Sequence, residues 1–150
     1  MTFLRPLRLA WHGFFLAGRN PVAPNEVVAR YLPFGNWYSK TKQCAHPRAF
    51  LPAPADNETS VYRISRLSEK KIWRLGRLVV TGRVNGTLHG RAEVTAADVV
   101  ATNLHIRVTW KLSRHVGIAG WAPLAQKGGA MLAAQLLAAK ATLKLYAGAA

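Results

Sequence analysis

Two hydrophobic periods alternate along this chain, and the alternation constrains its fold more than any other feature of the sequence. Residues 60–65, SVYRIS, carry β-branched and aromatic side chains at alternate positions, which is typical of a strand. Residues 69–80, EKKIWRLGRLVV, instead repeat apolar side chains at helical spacing. Residues 105–112, HIRVTWKL, return to the strand period and carry a cationic outer face. This order of elements predicts an α+β or α/β domain.

Local signals add the remaining elements. Residues 88–94 are a possible short strand, and Ser68 is the predicted N-cap of the central helix. Thr95 followed by Asp98 resembles a capping box that starts a short helix. Further elements are expected at 25–32 (NEVVARYL, a short helix), 131–140 (a helix rich in Ala and Leu) and 141–147 (a closing strand). The expected architecture is a single small domain with a mixed sheet of about four strands and three or more helices.

A cluster of breaker residues from Asn20 to Pro24 divides the chain. We expect an N-terminal extension over 1–24, one α/β-type domain over 25–147 and a tail over 148–150. The extension contains arginine but no acid, so the alternative is a targeting segment, although it lacks the serine of mitochondrial presequences. No run of about 18 apolar residues occurs, and no membrane span is expected.

The single cysteine, Cys44, bears on disulfides, metal sites and location. It excludes an intramolecular disulfide and any zinc site built on paired cysteines. It also suits a reducing compartment, so we expect a cytoplasmic protein. His46 is the one soft ligand close to it in sequence, and two further ligands have no obvious source. We therefore expect neither a metal nor a cofactor.

The charge balance is the strongest global indication of function. Lys and Arg number 21 against 6 Asp and Glu, a net charge of +15, and nothing acidic follows Asp98. Such a field attracts nucleic acid, anionic lipid or an acidic protein. We expect a nucleic-acid-binding protein, for DNA or RNA, and the alternative is an interaction protein that docks an acidic partner.

Two amphipathic elements concentrate the cations: the polar side of the helix after Ser68 and the outer face of the strand at 105–112. A row of cations on one face is what phosphates require, because each neutralised phosphate releases condensed counterions. The predicted nucleic-acid contacts are Lys70, Arg74, Arg77, Arg107 and Lys111, with Lys71, Arg66 and Lys42 as weaker candidates. The alternative is that both faces are simply solvent-exposed and bind nothing. Ordinary solvent-exposed faces, however, carry charges of both signs.

Aromatic residues also lie among the cations. Trp37 and Tyr38 stand beside Lys40 and Lys42, where exposed rings could stack on unpaired bases. The favoured alternative is that both rings pack inward, because large aromatics dominate small cores. Zinc-finger spacing and an RNP1-like aromatic cluster are absent, so little sequence readout is expected.

The other functional alternative is a small enzyme or nucleotide-binding protein. Its candidate catalytic residues are Arg63, Glu93 and His115, since an arginine could clamp an anion and a His near a Glu can do acid–base work. No spacing ties the three together, and the structural alternative is that each has an ordinary partner. P-loop, GxGxxG and GxSxG motifs are absent.

Several segments resemble a family of small uncharacterised bacterial proteins. The pattern is SVYRI followed by LSE and IW, then GRAEV, then RHVGIAGW and an Ala-rich helix, over about residues 25–145. The resemblance implies a single bacterial domain and carries no activity to this chain.

Overall fold

A six-stranded antiparallel sheet forms the centre of the structure. The computed structural model describes residues 20–83, 86–109, 114–123 and 127–147. The strands, in chain order, are β1 (Val27–Leu32), β2 (Tyr38–Ser39), β3 (Cys44–Ala45), β4 (Thr59–Arg63), β5 (Gly90–Thr95), β6 (His105–Val108), β7 (His115–Ala119) and β8 (Thr142–Leu145). The main sheet has the order β6-β7-β4-β1-β5-β8, and β2 and β3 pair separately as a small hairpin.

Helices cover both faces of this sheet. They are α1 (Glu69–Arg83), α2 (Ala96–Ala101) and α3 (Lys127–Lys140), with 3-10 turns at Gly35–Trp37 and Pro47–Phe50. The side chains of α1 pack on one face, which we call the α1 face. The side chains of α2, α3 and the Pro47–Phe50 turn pack on the other face.

The central strand β1 is apolar on both sides. Val28 and Leu32 point into the larger core under α3, whereas Ala29 and Tyr31 point toward α1. All four are buried, because β1 lies fourth in a six-stranded sheet that helices cover on both faces.

The predicted sheet is wrong in strand number and in direction. We expected a mixed sheet of about four strands, whereas the main sheet has six and every pair is antiparallel. The expected helix at 25–32 is instead β1. A strand buried on both faces reads as a nearly continuous apolar run, which periodicity does not distinguish from a buried helix.

No strand is predicted at 115–119, so β7 is a second omission; the glycine in HVGIA interrupts the strand pattern. In the sheet Gly117 makes room: a Cβ there would lie 2.7 Å from Oε2 of Glu58, whose side chain lies over β7. The glycine therefore serves close packing inside a strand. The β2–β3 hairpin is likewise absent from the predicted elements, because the four prolines and one glycine from Pro33 to Pro54 disfavour regular structure.

The predicted N-caps of α1 and α2 are confirmed, whereas α3 begins at Lys127, four residues before the predicted start at 131. The backbone N–H of Lys71 donates to Oγ of Ser68 at 3.3 Å, so Ser68 caps α1. Thr95 and Asp98 exchange both bonds of the capping box at the start of α2. Asn103, just beyond α2, has φ 64°, the left-handed backbone conformation that commonly ends a helix.

Some expectations fall on other parts of the chain. Residues 1–19 of the predicted extension, residues 110–112 of the predicted strand and the tail at 148–150 lie outside the described residues. Within the described ranges, none of the helices combines the length and apolar surface needed to cross a bilayer.

Candidate functional site

All six carboxylates of the chain lie in described positions, and each is engaged by a specific neighbour. Four form ion pairs: Glu26 with Arg63, Glu58 with Arg107, and both Glu69 and Glu93 with Arg91. Asp98 accepts a bond in the α2 capping box, and Asp56 accepts the backbone N–H of Glu58 at 3.2 Å. The few acids are therefore committed to these specific contacts, which include one to the exposed Arg107.

Arg91 is the most buried of these pairing partners. Its side chain is 0% exposed and reaches Oε2 of Glu93 at 2.7 Å and Oε1 of Glu69 at 2.5 Å. The guanidinium also stacks 4.4 Å from the ring centre of Trp73. The hydrogen bonds from Arg91 hold the pKa of Glu69 below its usual range. Because Arg91 lies on β5, this ion pair links Glu69, the one acid in the first turn of α1, to the sheet.

The outer side of α1 carries the predicted cationic stripe. Lys70, Arg74 and Arg77 are exposed, and so is Lys71 beside them. Positions four and seven residues apart share one side of a helix, and seven residues rise about 10 Å along its axis. Across the part of the chain that the structure describes, no ion pair reaches any of the four.

The second predicted cationic face differs from the first. Arg107 on β6 is bound by Glu58, with Nη2 2.8 Å from Oε2, and this carboxylate raises the pKa of Arg107. Its charge is therefore largely compensated. β6 is also an edge strand three places from β1, the strand that α1 packs against. Lys111 lies outside the described residues.

The three candidate catalytic residues lie in separate environments. Arg63 pairs with Glu26, Nη2 to Oε2 at 2.8 Å. Glu93 pairs instead with Arg91 on the α1 face. His115 pairs in register with the residue before Arg63, so alternation puts Arg63 and His115 on opposite faces of the sheet. The fold does not bring the three together.

His115 belongs to a buried hydroxyl relay that sequence reasoning missed. The Thr109 hydroxyl donates to the His115 carbonyl oxygen at 2.9 Å, so its oxygen is left to accept from Nδ1–H of the ring, 2.5 Å away. Nε2 then accepts from the hydroxyl of Ser60 at 3.0 Å. The relay joins β7 to β4 and to the end of β6. No sequence spacing could indicate it, because it depends on strand register.

The aromatic loop is part of the fold, as the favoured alternative predicted. Trp37 and Tyr38 are half-buried and pack against the core under α3. The Tyr38 hydroxyl lies 3.2 Å from Nδ1 of His89. Lys40 and Lys42 remain exposed nearby, but the two rings are committed inward.

No family model, curated protein or solved structure matches the chain. The resemblance to small bacterial proteins therefore stays a prediction.

Proposed function

We propose that this protein binds nucleic acid through the outer side of α1, with Lys70, Arg74 and Arg77 contacting phosphates and Lys71 at the margin. The observation that carries the proposal is that this stripe is exposed and has no ion-pair partner among the described residues, while all six Asp and Glu side chains are engaged elsewhere. A row about 10 Å long spans about three phosphates of one strand, at 3.4 Å of axis per charge.

The contacts are expected to be with the backbone rather than with bases. Trp37 and Tyr38, the rings best placed in sequence to stack on bases, are half-buried and pack against the core under α3. An exposed row of lysine and arginine neutralises phosphates and carries no sequence information by itself. We therefore expect binding to single and double strands with little preference for sequence.

The direct test removes the stripe and compares the result with an equal loss of charge elsewhere. Lys70, Arg74 and Arg77 are replaced together by Gln in one variant. The control replaces Lys40, Arg48 and Lys140, three exposed cations outside α1: two lie around the β2–β3 hairpin and the 3-10 turn after it, and one ends α3. Fluorescence anisotropy with a labelled duplex and a labelled single strand measures both affinities.

We expect the α1 variant to lose at least about tenfold in affinity and the control to lose much less, since net charge falls by three in both. Equal losses would mean that only global charge matters, which contradicts a dedicated face. An acidic protein partner is the alternative occupant of the same stripe. A purified sample with low absorbance at 260 nm that carries an acidic protein, and binds neither nucleic acid, would favour that alternative.

A further inference from the structure

The charge environment of Arg30, on β1, differs from that of Arg63 and Arg91, the two buried arginines of the sheet. Arg63 and Arg91 each pair with carboxylates. The ion pairs among the described residues include none to Arg30. Burial lowers the pKa of Arg30 to about 10, so the guanidinium stays charged at neutral pH.

The position of Arg30 follows from a gap in the sheet. β1 and β4 pair at Val28 with Arg63 and at Ala29 with Tyr62, and the ladder stops there. β1 continues along β5, so it diverges from β4 at Arg30. The side chain bridges the gap: Nη1 donates to the Ser60 carbonyl at 3.0 Å, and Nε donates to the Ala49 carbonyl at 2.7 Å.

Two carbonyls and one ring fix the orientation of this guanidinium. Its carbon lies 4.9 Å from the ring centre of Trp37, which packs edge-on against Phe34. The two hydrogen bonds use two of the five N–H groups of an arginine. A charged fork held in this way is preorganised for an oxyanion, since little side-chain entropy remains to be lost.

A cavity of about 330 Å³ opens at this point. Its lining includes Arg30, Phe34, Trp37, Asp56, Ser60 and Tyr62. The cavity thus combines Arg30, a cation with no ion-pair partner among the described residues, with aromatic surface. Apolar surface with a few polar groups is the usual composition of a small-molecule site. Asp56 in the lining disfavours ligands with several negative charges, which sets this cavity apart from the phosphate-binding stripe.

We propose that the cavity binds a small monocarboxylate with a flat apolar body, its carboxylate on Arg30 and its body against Phe34 and Trp37. This site is independent of the α1 stripe, so either proposal can fail without the other. The carboxylate would supply the charge partner that the described residues do not give Arg30.

The test uses phenylacetate as the probe and phenylacetamide as its neutral counterpart. Titration of the intact protein is followed by NMR at Nε–H of Arg30 and at the Trp37 indole N–H. We expect phenylacetate to shift both signals at millimolar concentration and the amide to bind at least about tenfold more weakly. Equal binding of the two, shifts confined to other residues, or no binding of phenylacetate would overturn the proposal.

Variants give a second measurement. Arg30→Lys keeps the charge but loses the fork, and it should lose most of the preference for the acid over the amide. Because Arg30 also ties β1 to β4, we expect that variant to be less stable, and circular dichroism checks that it is folded. Phe34→Ala changes a side chain that is 42% exposed, so it should fold normally and weaken both probes alike. A folded Phe34→Ala protein that binds both probes as the parent does would remove the aromatic part of the proposal.

Discussion

Replacing Arg91 by Met should destabilise the domain far more than replacing any of its exposed cations. Arg91 is completely buried and holds two carboxylates, one from β5 and one from α1. Methionine keeps much of the volume and the contact with Trp73 but removes every hydrogen bond. The carboxylate of Glu93, 15% exposed, is then left without its main partner.

The magnitude follows from this burial. Removing one member of a buried ion pair costs about 3–5 kcal/mol. The lower end applies here, because Glu69 is 61% exposed and can turn to water. Lys144 also stands 3.7 Å from Glu93 and 3.8 Å from Glu69 and offers partial compensation. We expect a loss of about 3 kcal/mol, which lowers the Tm of a domain of this size by about 6–12 °C.

Urea unfolding followed by circular dichroism measures the free energy of unfolding. The control is Lys144→Met, whose half-exposed pairs should contribute below about 1 kcal/mol. An Arg91→Met protein within about 1 kcal/mol of the parent would refute the network as a source of stability.

The same network predicts an acid dependence of stability. The pKa of Glu69 is lowered in the folded state, so its contribution is complete above the unfolded pKa, about 4.3. It is lost as the pH falls through the lower folded value. This loss of stability in acid should be small, because the Glu69 side chain is mostly exposed. It should be smaller still in Arg91→Met, which lacks the partner that lowers the pKa of Glu69.

Three further changes test packing and capping. Gly76→Ala should destabilise by about 1–3 kcal/mol, because the new Cβ would lie 2.6 Å from the buried ring of Tyr31. Gly82→Ala, with nothing within 4 Å of its Cβ, should instead stabilise by up to about 1 kcal/mol. If urea unfolding gave the two glycine substitutions the same change in free energy, the packing argument would be contradicted. Thr95→Ala removes the α2 cap and should cost about 1 kcal/mol; thermal melting that stays unchanged would argue against the cap.

Local signals in the sequence were enough to predict α1 and which of its residues face the core or the solvent. Ser68, the apolar positions and the cations of the stripe all lie within one helix, so spacing alone assigns them to its cap, its core side and its wet side. The exposure of Lys70, Arg74 and Arg77 agrees with that assignment.

Strand pairing could not be predicted, and the remaining site features depend on it. Arg63 and His115 are 52 positions apart in the printed sequence, and only the β4–β7 register shows that they face opposite sides. The sequence pattern predicts a helix at 25–32. It therefore gives no indication that the Arg30 side chain donates hydrogen bonds to two backbone carbonyls of other elements. The role of Arg30 depends on the divergence of β1 from β4, which local spacing does not reveal.

The most direct test of the central claim is the salt dependence of duplex binding by the parent and by the α1 triple variant. If Lys70, Arg74 and Arg77 neutralise phosphates, their removal should reduce the slope of log K against log salt by about 2.7, at about 0.9 per phosphate. Parallel lines for the two proteins, or a parent whose affinity does not change with salt, would contradict the account.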